Sequence, residues 1–436
     1  MNQVADFVVV GGGSAGAVLG ARLTASGKHT ATILEAGGSD LSLFILPPTG
    51  SLRLPLKHFW RYRTEPDPTR AGRTDSWSSA RVLGGGSSIN GMLWVRGNPA
   101  DYDTWAESGA DGGIREYPAV PSTGGDLDRC AVRSSRTVGA AIRLVSSYRA
   151  SHHPAVPSGC GGGRPARRGR LQRRLAVRRR ERASQSARRT SGRYGTGRSY
   201  LWPARWRRNL DVRTHATASR VLFEDRRAVG IEYLRRGTTH RVHAWREVVV
   251  CGGAVGSPAL LHRSGVGPAG VLRDLNVAII ADVPAVGQGL QEHPTFTMKL
   301  DVTERTLNQE LTFLSVARAA KDFALHRSGL ATATLAHALA FGKLHEQARW
   351  AEYELMFAPM AGLTSHPEAV PGSEGARTPG IDKQRLQLSD DASVSCHVCP
   401  LHPRSTGQVR APRCGSPILT GTGSPPPQPT RGGPAR

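Results

Sequence analysis

The chain has 436 residues, 39% of them hydrophobic, and 58 basic against 34 acidic side chains give it a formal net charge of +24. That length suffices for two or three domains with sizeable cores, and no apolar run reaches the ~18 residues of a membrane-spanning helix. Six cysteines, at 130, 160, 251, 396, 399 and 414, are too few for a disulfide scaffold, and a strand-like run starts so close to Met1 that no secretory leader is expected, so a reducing, cytoplasmic setting follows.

In chain order, the first element is a buried strand, Phe7–Val10. It runs into Gly11-Gly12-Gly13-Ser14-Ala15-Gly16 and an apolar helix. A second strand, Thr30–Leu34, ends at Glu35 and Ala36. This is the dinucleotide fingerprint in its full strand–turn–helix–strand context. Gly11 permits the tight turn, Gly13 lets the backbone approach a pyrophosphate, and Gly16 permits close packing of helix on strand. Ser14 and Ala15 open a helix whose free N–H groups and partial positive charge suit phosphate. Glu35 is placed to accept hydrogen bonds from a ribose, and an acid there disfavours a 2′-phosphate, so NADP is not expected.

The next informative block, residues 78–105, carries Arg81-Val82-Leu83-Gly84-Gly85-Gly86-Ser87-Ser88-Ile89-Asn90-Gly91-Met92-Leu93. Three successive glycines let a backbone lie against a flat ring, where a Cβ would clash. Asn90 can both donate and accept, which suits the edge of such a ring.

Residues 113–198 lose this regularity. They hold 20 Arg, 4 acidic residues and no Lys, Asn, Phe or Trp, so most of the excess charge sits in this one segment. A single-stranded nucleic-acid site would interleave aromatics with the arginines, and Arg164–Arg189 has none. No nucleic-acid partner is expected. The composition is that of a GC-rich gene read out of register, so the segment is expected to be out of frame or disordered.

Clear strands return over 199–290, at Leu210–Val212, Arg220–Phe223, Gly230–Tyr233 and Glu247–Cys251, followed by a helix expected to open at Ser257 with Pro258 in its first turn. Residues 291–361 read as mixed helix and strand, with helical spacing over Phe313–Leu325. Residues 362–436 hold 12 Pro and no Phe, Tyr or Trp. Such a segment buries too little apolar area to offset its chain entropy, and a disordered tail is expected. Cys396-His397-Val398-Cys399 with His402 looks like half a zinc site without its second pair, so no metal is expected.

Together the two Gly-rich blocks resemble the glucose–methanol–choline (GMC) oxidoreductases, FAD-dependent alcohol oxidases and dehydrogenases. Arg81–Met92 matches that family's first signature. Arg96-Gly97, Asp101–Trp105 and the upstream Phe59–Pro66 resemble its surroundings. Residues 251–268, with Gly253, Ser257, Pro258 and Ser264-Gly265-Val266-Gly267, resemble its second signature, and 281–294 the stretch that follows.

The resemblance implies an α/β fold: a Rossmann-like FAD-binding domain in two parts, 1–112 and 199–290, with a partial α+β substrate-binding domain at 291–361. It implies FAD contacts at Gly11, Gly13, Ser14, Ala15, Gly16, Glu35, Ala36, Val82, Gly85, Asn90, Gly91, Met92 and Leu93, and at Val221 on the adenine side. It implies oxidation of the CH–OH group of a primary alcohol with hydride transfer to flavin, and hence a small-molecule alcohol and an electron acceptor as partners. His293 has a structural role in such proteins. The family's base is a His near its C-terminus, and after Gly362 only residues 402–410 resemble the family, so no catalytic residue is assigned. The alternative is an inactive FAD-binding remnant.

Overall fold

The valine run at the N-terminus becomes the middle of a parallel sheet, because both of its faces have apolar partners. Val8 and Val10 point into one cluster with Leu34, Ile231 and Val242. Val9 points into another with Ala17, Ala21, Ile33 and Leu210. Strand alternation thus feeds two layers at once, the pattern of a sheet buried on both sides. The structure, a computed structural model, describes residues 3–93, 99–107, 109, 141–144, 195, 197–326, 328–332, 336–348, 350–361, 391–411 and 418–422.

The strands, in chain order, are β1 Gln3–Val10, β2 Ala31–Leu34, β3 Phe59–Thr64, β4 Ser76–Ala80, β5 Ala141–Leu144, β6 Leu210–Arg213, β7 Ala216–Glu224, β8 Arg227–Arg235 and β9 Thr238–Val250. They continue with β10 Val266–Gly267, β11 Ala281–Asp282, β12 Phe296–Asp301, β13 Ala338–Gly342, β14 Tyr353–Ala358, β15 Ser393–Pro400, β16 Thr406–Arg410 and β17 Ile418–Thr422. The helices that matter below are α1 Ser14–Leu23, α2 Gly86–Ile89, α3 Gly253–Arg263 and α4 Phe313–His326.

The main sheet has the order β6-β2-β1-β9-β8-β7. β6, β2, β1 and β9 are parallel, and β9, β8 and β7 form an antiparallel meander. Helix α1 connects β1 to β2 and buries Gly16, Ala17, Gly20 and Ala21, small residues that let it lie close to the sheet. A second, antiparallel sheet has the order β12-β15-β14-β13-β5. A third, β16-β17-β3-β4, packs Tyr62 and Val409 against Val255 and Ala259 of α3.

Three expectations are corrected. The tail is expected to lack structure from 362 onward, yet β15 lies between β12 and β14, and β16 is tied to the segment after β11 by Leu290 N to Gly407 O at 2.8 Å and Val409 N to Gly287 O at 2.7 Å. Averaging composition over the whole tail hid short alternating strands whose apolar partners lie elsewhere in the chain. Inside the Arg-rich segment, β5 pairs with β13. The other expectations for 113–198 and 362–436 fall largely outside the described residues. Helix α3 begins at Gly253 rather than Ser257, because the Gly252-Gly253 pair, with Gly253 at φ +79°, turns the chain directly off β9. Pro258 therefore stands inside the helix and leaves one carbonyl without its donor. The strands at 210–251 and the helix at 313 stand where the sequence puts them, most extended by a few residues, while the last strand begins at Thr238 instead of Glu247 and ends at Val250.

Candidate functional site

Three loops meet at the carboxyl ends of β1 and β2, where open α/β sheets bind ligands. In the first, Gly11 has φ +97°, and its N–H donates to Leu34 O at 2.8 Å. A Cβ on Gly11 would stand 2.3 Å from Cys251 O, and one on Gly16 would stand 1.9 Å from Gly11 O. Both are glycine for reasons of protein packing. Gly13 differs: its Cβ position has only Gly85 Cα, at 3.7 Å, within contact range. Its bare face leaves room for a ligand. Ser14 and Ala15 are exposed at the start of α1, whose first turn carries no acidic residue. The first-turn N–H groups have no acceptor within the helix, and the dipole favours an anion there.

The second loop is stitched onto the first. Gly84 N donates to Gly12 O at 2.7 Å, and a Cβ on Gly85 would fall 2.8 Å from Gly13 Cα. Val82 is fully buried and bridged to Gly38, and Leu83 N donates to Gly38 O at 2.9 Å. Asn90 ends α2, and its Oδ1 accepts from Met92 N at 3.1 Å, which holds Met92 at φ +60°. Gly91, Met92 and Leu93 are half-buried.

The third loop carries Glu35, itself buried, with Ala36 half-buried beside it. Glu35 Oε2 accepts from Gly12 N at 2.8 Å and Oε1 from Gly37 N at 2.7 Å. Burial pushes its carboxyl above the ordinary value, against the opposing pull of those two N–H groups and the Arg81 charge. Arg81 lies over the Trp60 ring at 4.7 Å, and its Nε is buried with no hydrogen-bond partner.

The structure thus brings together Gly11, Gly13, Ser14, Ala15, Gly16, Glu35, Ala36, Val82 and Gly85, with Asn90–Leu93 on the same loop. Val221 is buried on β7, and its N–H is taken by Ser264 Oγ at 2.8 Å. That bond occupies the N–H of Val221 and leaves its carbonyl as the backbone group a ligand could use. His293 is exposed in the loop before β12. Among the described residues no group of three His, Cys, Asp or Glu could hold a metal ion, and no helix is long and apolar enough to cross a membrane. Sequence reasoning missed Gly12 and Gly37, the donors that hold Glu35. Their signal was available, since Gly12 stands between Gly11 and Gly13 and Gly37 directly follows Ala36.

The residues present fit FAD: a bare glycine cradle at a helix N-terminus for the pyrophosphate, a buried carboxylate for the ribose, and a leftover buried donor on Arg81.

Comparison with known proteins agrees. The GMC oxidoreductase family model matches residues 5–122 and 166–295, so it resumes within the Arg-rich segment. The chain is 32% identical over 380 residues to the oxygen-dependent choline dehydrogenase of Photobacterium profundum, covering 83% of this chain and 64% of that protein. It is 35% identical over 385 residues to a GMC-type oxidoreductase of Mycobacterium bovis, covering 82% and 68%. The chain therefore spans about two thirds of the length of these relatives. Among solved structures, formate oxidase of Aspergillus oryzae superposes with a TM-score of 0.68 at 20% identity, covering 96% of this chain and 77% of that one. An FAD-dependent oxidoreductase of Chaetomium thermophilum gives 0.65 at 22%, covering 95% and 78%. At these identities the likeness is one of fold. Signature, geometry and relatives converge: the chain belongs to the GMC oxidoreductase family, whose cofactor is FAD.

Proposed function

We propose that this chain holds FAD and serves the oxidation of a primary alcohol, choline-like or aliphatic, to the aldehyde. The observation that supports it best is the bare face of Gly13 at the N-terminus of α1, between the stitched glycine loops and beside buried Glu35, where only Gly85 Cα lies within contact range. Bound flavin supplies the acceptor for the hydride that leaves the alcohol carbon. The chain's own share is placement. The N-terminus of α1 neutralises the pyrophosphate, Glu35 accepts from the ribose, and Val82, Gly85 and Asn90–Leu93 offer backbone and an amide to the flavin ring.

A second reading, an FAD-binding chain without turnover, has its own support. His397 is tied at both ring nitrogens, Nδ1 to Thr297 Oγ1 at 3.0 Å and Nε2 to Ser395 Oγ at 3.1 Å. His293 is exposed to water. Neither is poised as a base for the alcohol proton.

Anaerobic mixing of the FAD-loaded chain with choline or a simple primary alcohol separates the readings. Bleaching of the flavin absorbance is expected for an alcohol dehydrogenase. Retained colour with tightly bound FAD supports the second reading, and a folded chain that takes up no flavin overturns both.

A further inference from the structure

The connection between β6 and β7 is only two residues, Thr214 and His215, yet these strands lie at opposite edges of the main sheet. The chain makes this transfer across the carboxyl end of β2. Glu35 N donates to Arg213 O at 2.8 Å, His215 N to Gly37 O at 2.9 Å, and Ala216 N to Glu35 O at 2.8 Å. His215 sits at the corner with φ +55°, a conformation uncommon for a residue with a side chain. Asp225 and Arg236 share it in two-residue hairpins between neighbouring strands, where the turn type requires positive φ, and Ala71, Met92 and Asn276 share it elsewhere. His215 lies in no hairpin. Backbone strain of this kind persists where surrounding bonds enforce it, and it clusters at ligand sites.

The corner sets the ring in a definite place. His215 Cε1 and Nε2 each lie 3.1 Å from where a Cβ of Gly38 would stand, so the imidazole rests on the bare Cα of Gly38. The ring is exposed. Gly38 belongs to the turn whose Gly37 N–H is held by Glu35. Along this site, α1 marks the pyrophosphate, Glu35 the ribose and Asn90–Leu93 the flavin. The side of Glu35 away from α1 is left for the base.

We propose that His215 is an adenosine-contact residue, its imidazole forming one wall for the adenine–ribose half of FAD across Gly38 from Glu35. A flat ring with a donor and an acceptor suits a purine, by stacking or by hydrogen bonding. Gly38 is glycine in this view because a side chain would occupy the place of the ring. The proposal deepens the FAD assignment and rests on it.

The test uses the flavin-free full chain, titrated with FAD, ADP and FMN while tryptophan fluorescence is followed. His215→Gly removes the ring and adopts positive φ freely, so its ligand-free melting temperature should stay near that of the wild type. FAD and ADP should bind about tenfold more weakly, the effect of one modest polar or stacking contact, while FMN, which lacks adenosine, binds as before. His215→Asn, which also tolerates this conformation, supplies the same comparison if the glycine variant folds poorly. Unchanged FAD and ADP affinity in both variants overturns the proposal alone, as does an equal weakening of FMN. A wild-type chain that binds neither FAD nor ADP overturns the cofactor assignment with it.

Discussion

The position of Glu35 at the end of β2 leads to the proposal of a ribose acceptor. The structure adds that it fixes Gly12 and Gly37 by their N–H groups, and so sets the spacing of two of the three loops. A buried donor left without its acceptor costs about 1–3 kcal/mol. Glu35→Ala should therefore lower the stability of the flavin-free chain by about that much per orphaned amide, and weaken FAD binding by about tenfold or more through the lost ribose contact. Urea denaturation of the flavin-free variant checks the first effect and flavin titration the second. A variant that binds FAD poorly but unfolds like the wild type would show that the two N–H groups find water instead.

At the scale of elements, the interface of α1 with β1 depends on a missing side chain. Alanine at position 16 would gain up to about 1 kcal/mol in helix propensity. Its Cβ, however, would stand 1.9 Å from Gly11 O and 3.2 Å from Val9 Cγ1. The first contact is with backbone, which cannot rotate away, and forcing a methyl into packed surroundings typically costs about 1–3 kcal/mol. Gly16→Ala should be destabilised despite its better helix former and should copurify with less flavin than the wild type, as read from the ratio of flavin to protein absorbance. The same element shows why some of the fold was legible and some was not. The β1–α1–β2 unit is specified by residues adjacent in sequence, so its pattern was plain. The bond from Gly84 to Gly12 and the hold of Ser264 on Val221 join distant residues and leave no periodic trace. For β15–β17, the alternation is short and lies within a stretch whose average composition reads as linker; only the partner strands reveal it.

For the whole molecule, acid is the informative perturbation. His58 and His262 are buried and His397 is half-buried, and burial holds all three below the ordinary value of 6.5. His262 is the tightest of them: its ring is clamped between Gly267 and Gly287, Nε2 donates to Val286 O at 3.2 Å, and Nδ1 is buried without a partner. Because the folded state keeps these rings neutral, the unfolded chain binds more protons just below pH 6.5. Stability from these groups is present above that pH and is lost as pH falls through it toward the lower folded values. Glu35 and Glu354, both raised by burial, act in the opposite sense. The clean measurement is therefore a difference: the drop in denaturation midpoint from about pH 7.5 to about pH 5.5 should shrink in His262→Gln relative to the wild type. An equal drop in both would assign the acid sensitivity to other groups.

The bond between Gly84 and Gly12 has a consequence for how this protein would be made in a cell. Two segments distant in the chain meet through one backbone hydrogen bond, a contact of bare Cα atoms and the side chain of Leu83 lying against Gly12. A pyrophosphate held between them, as proposed above, would bind the closed arrangement and not the unfolded chain. By mass action such a ligand adds stability in proportion to the logarithm of its concentration, about 2.7 kcal/mol at a hundredfold excess over Kd. Flavin supply during synthesis would then set how much chain survives quality control, and riboflavin limitation should lower the steady-state amount of this protein before it lowers anything measured per molecule.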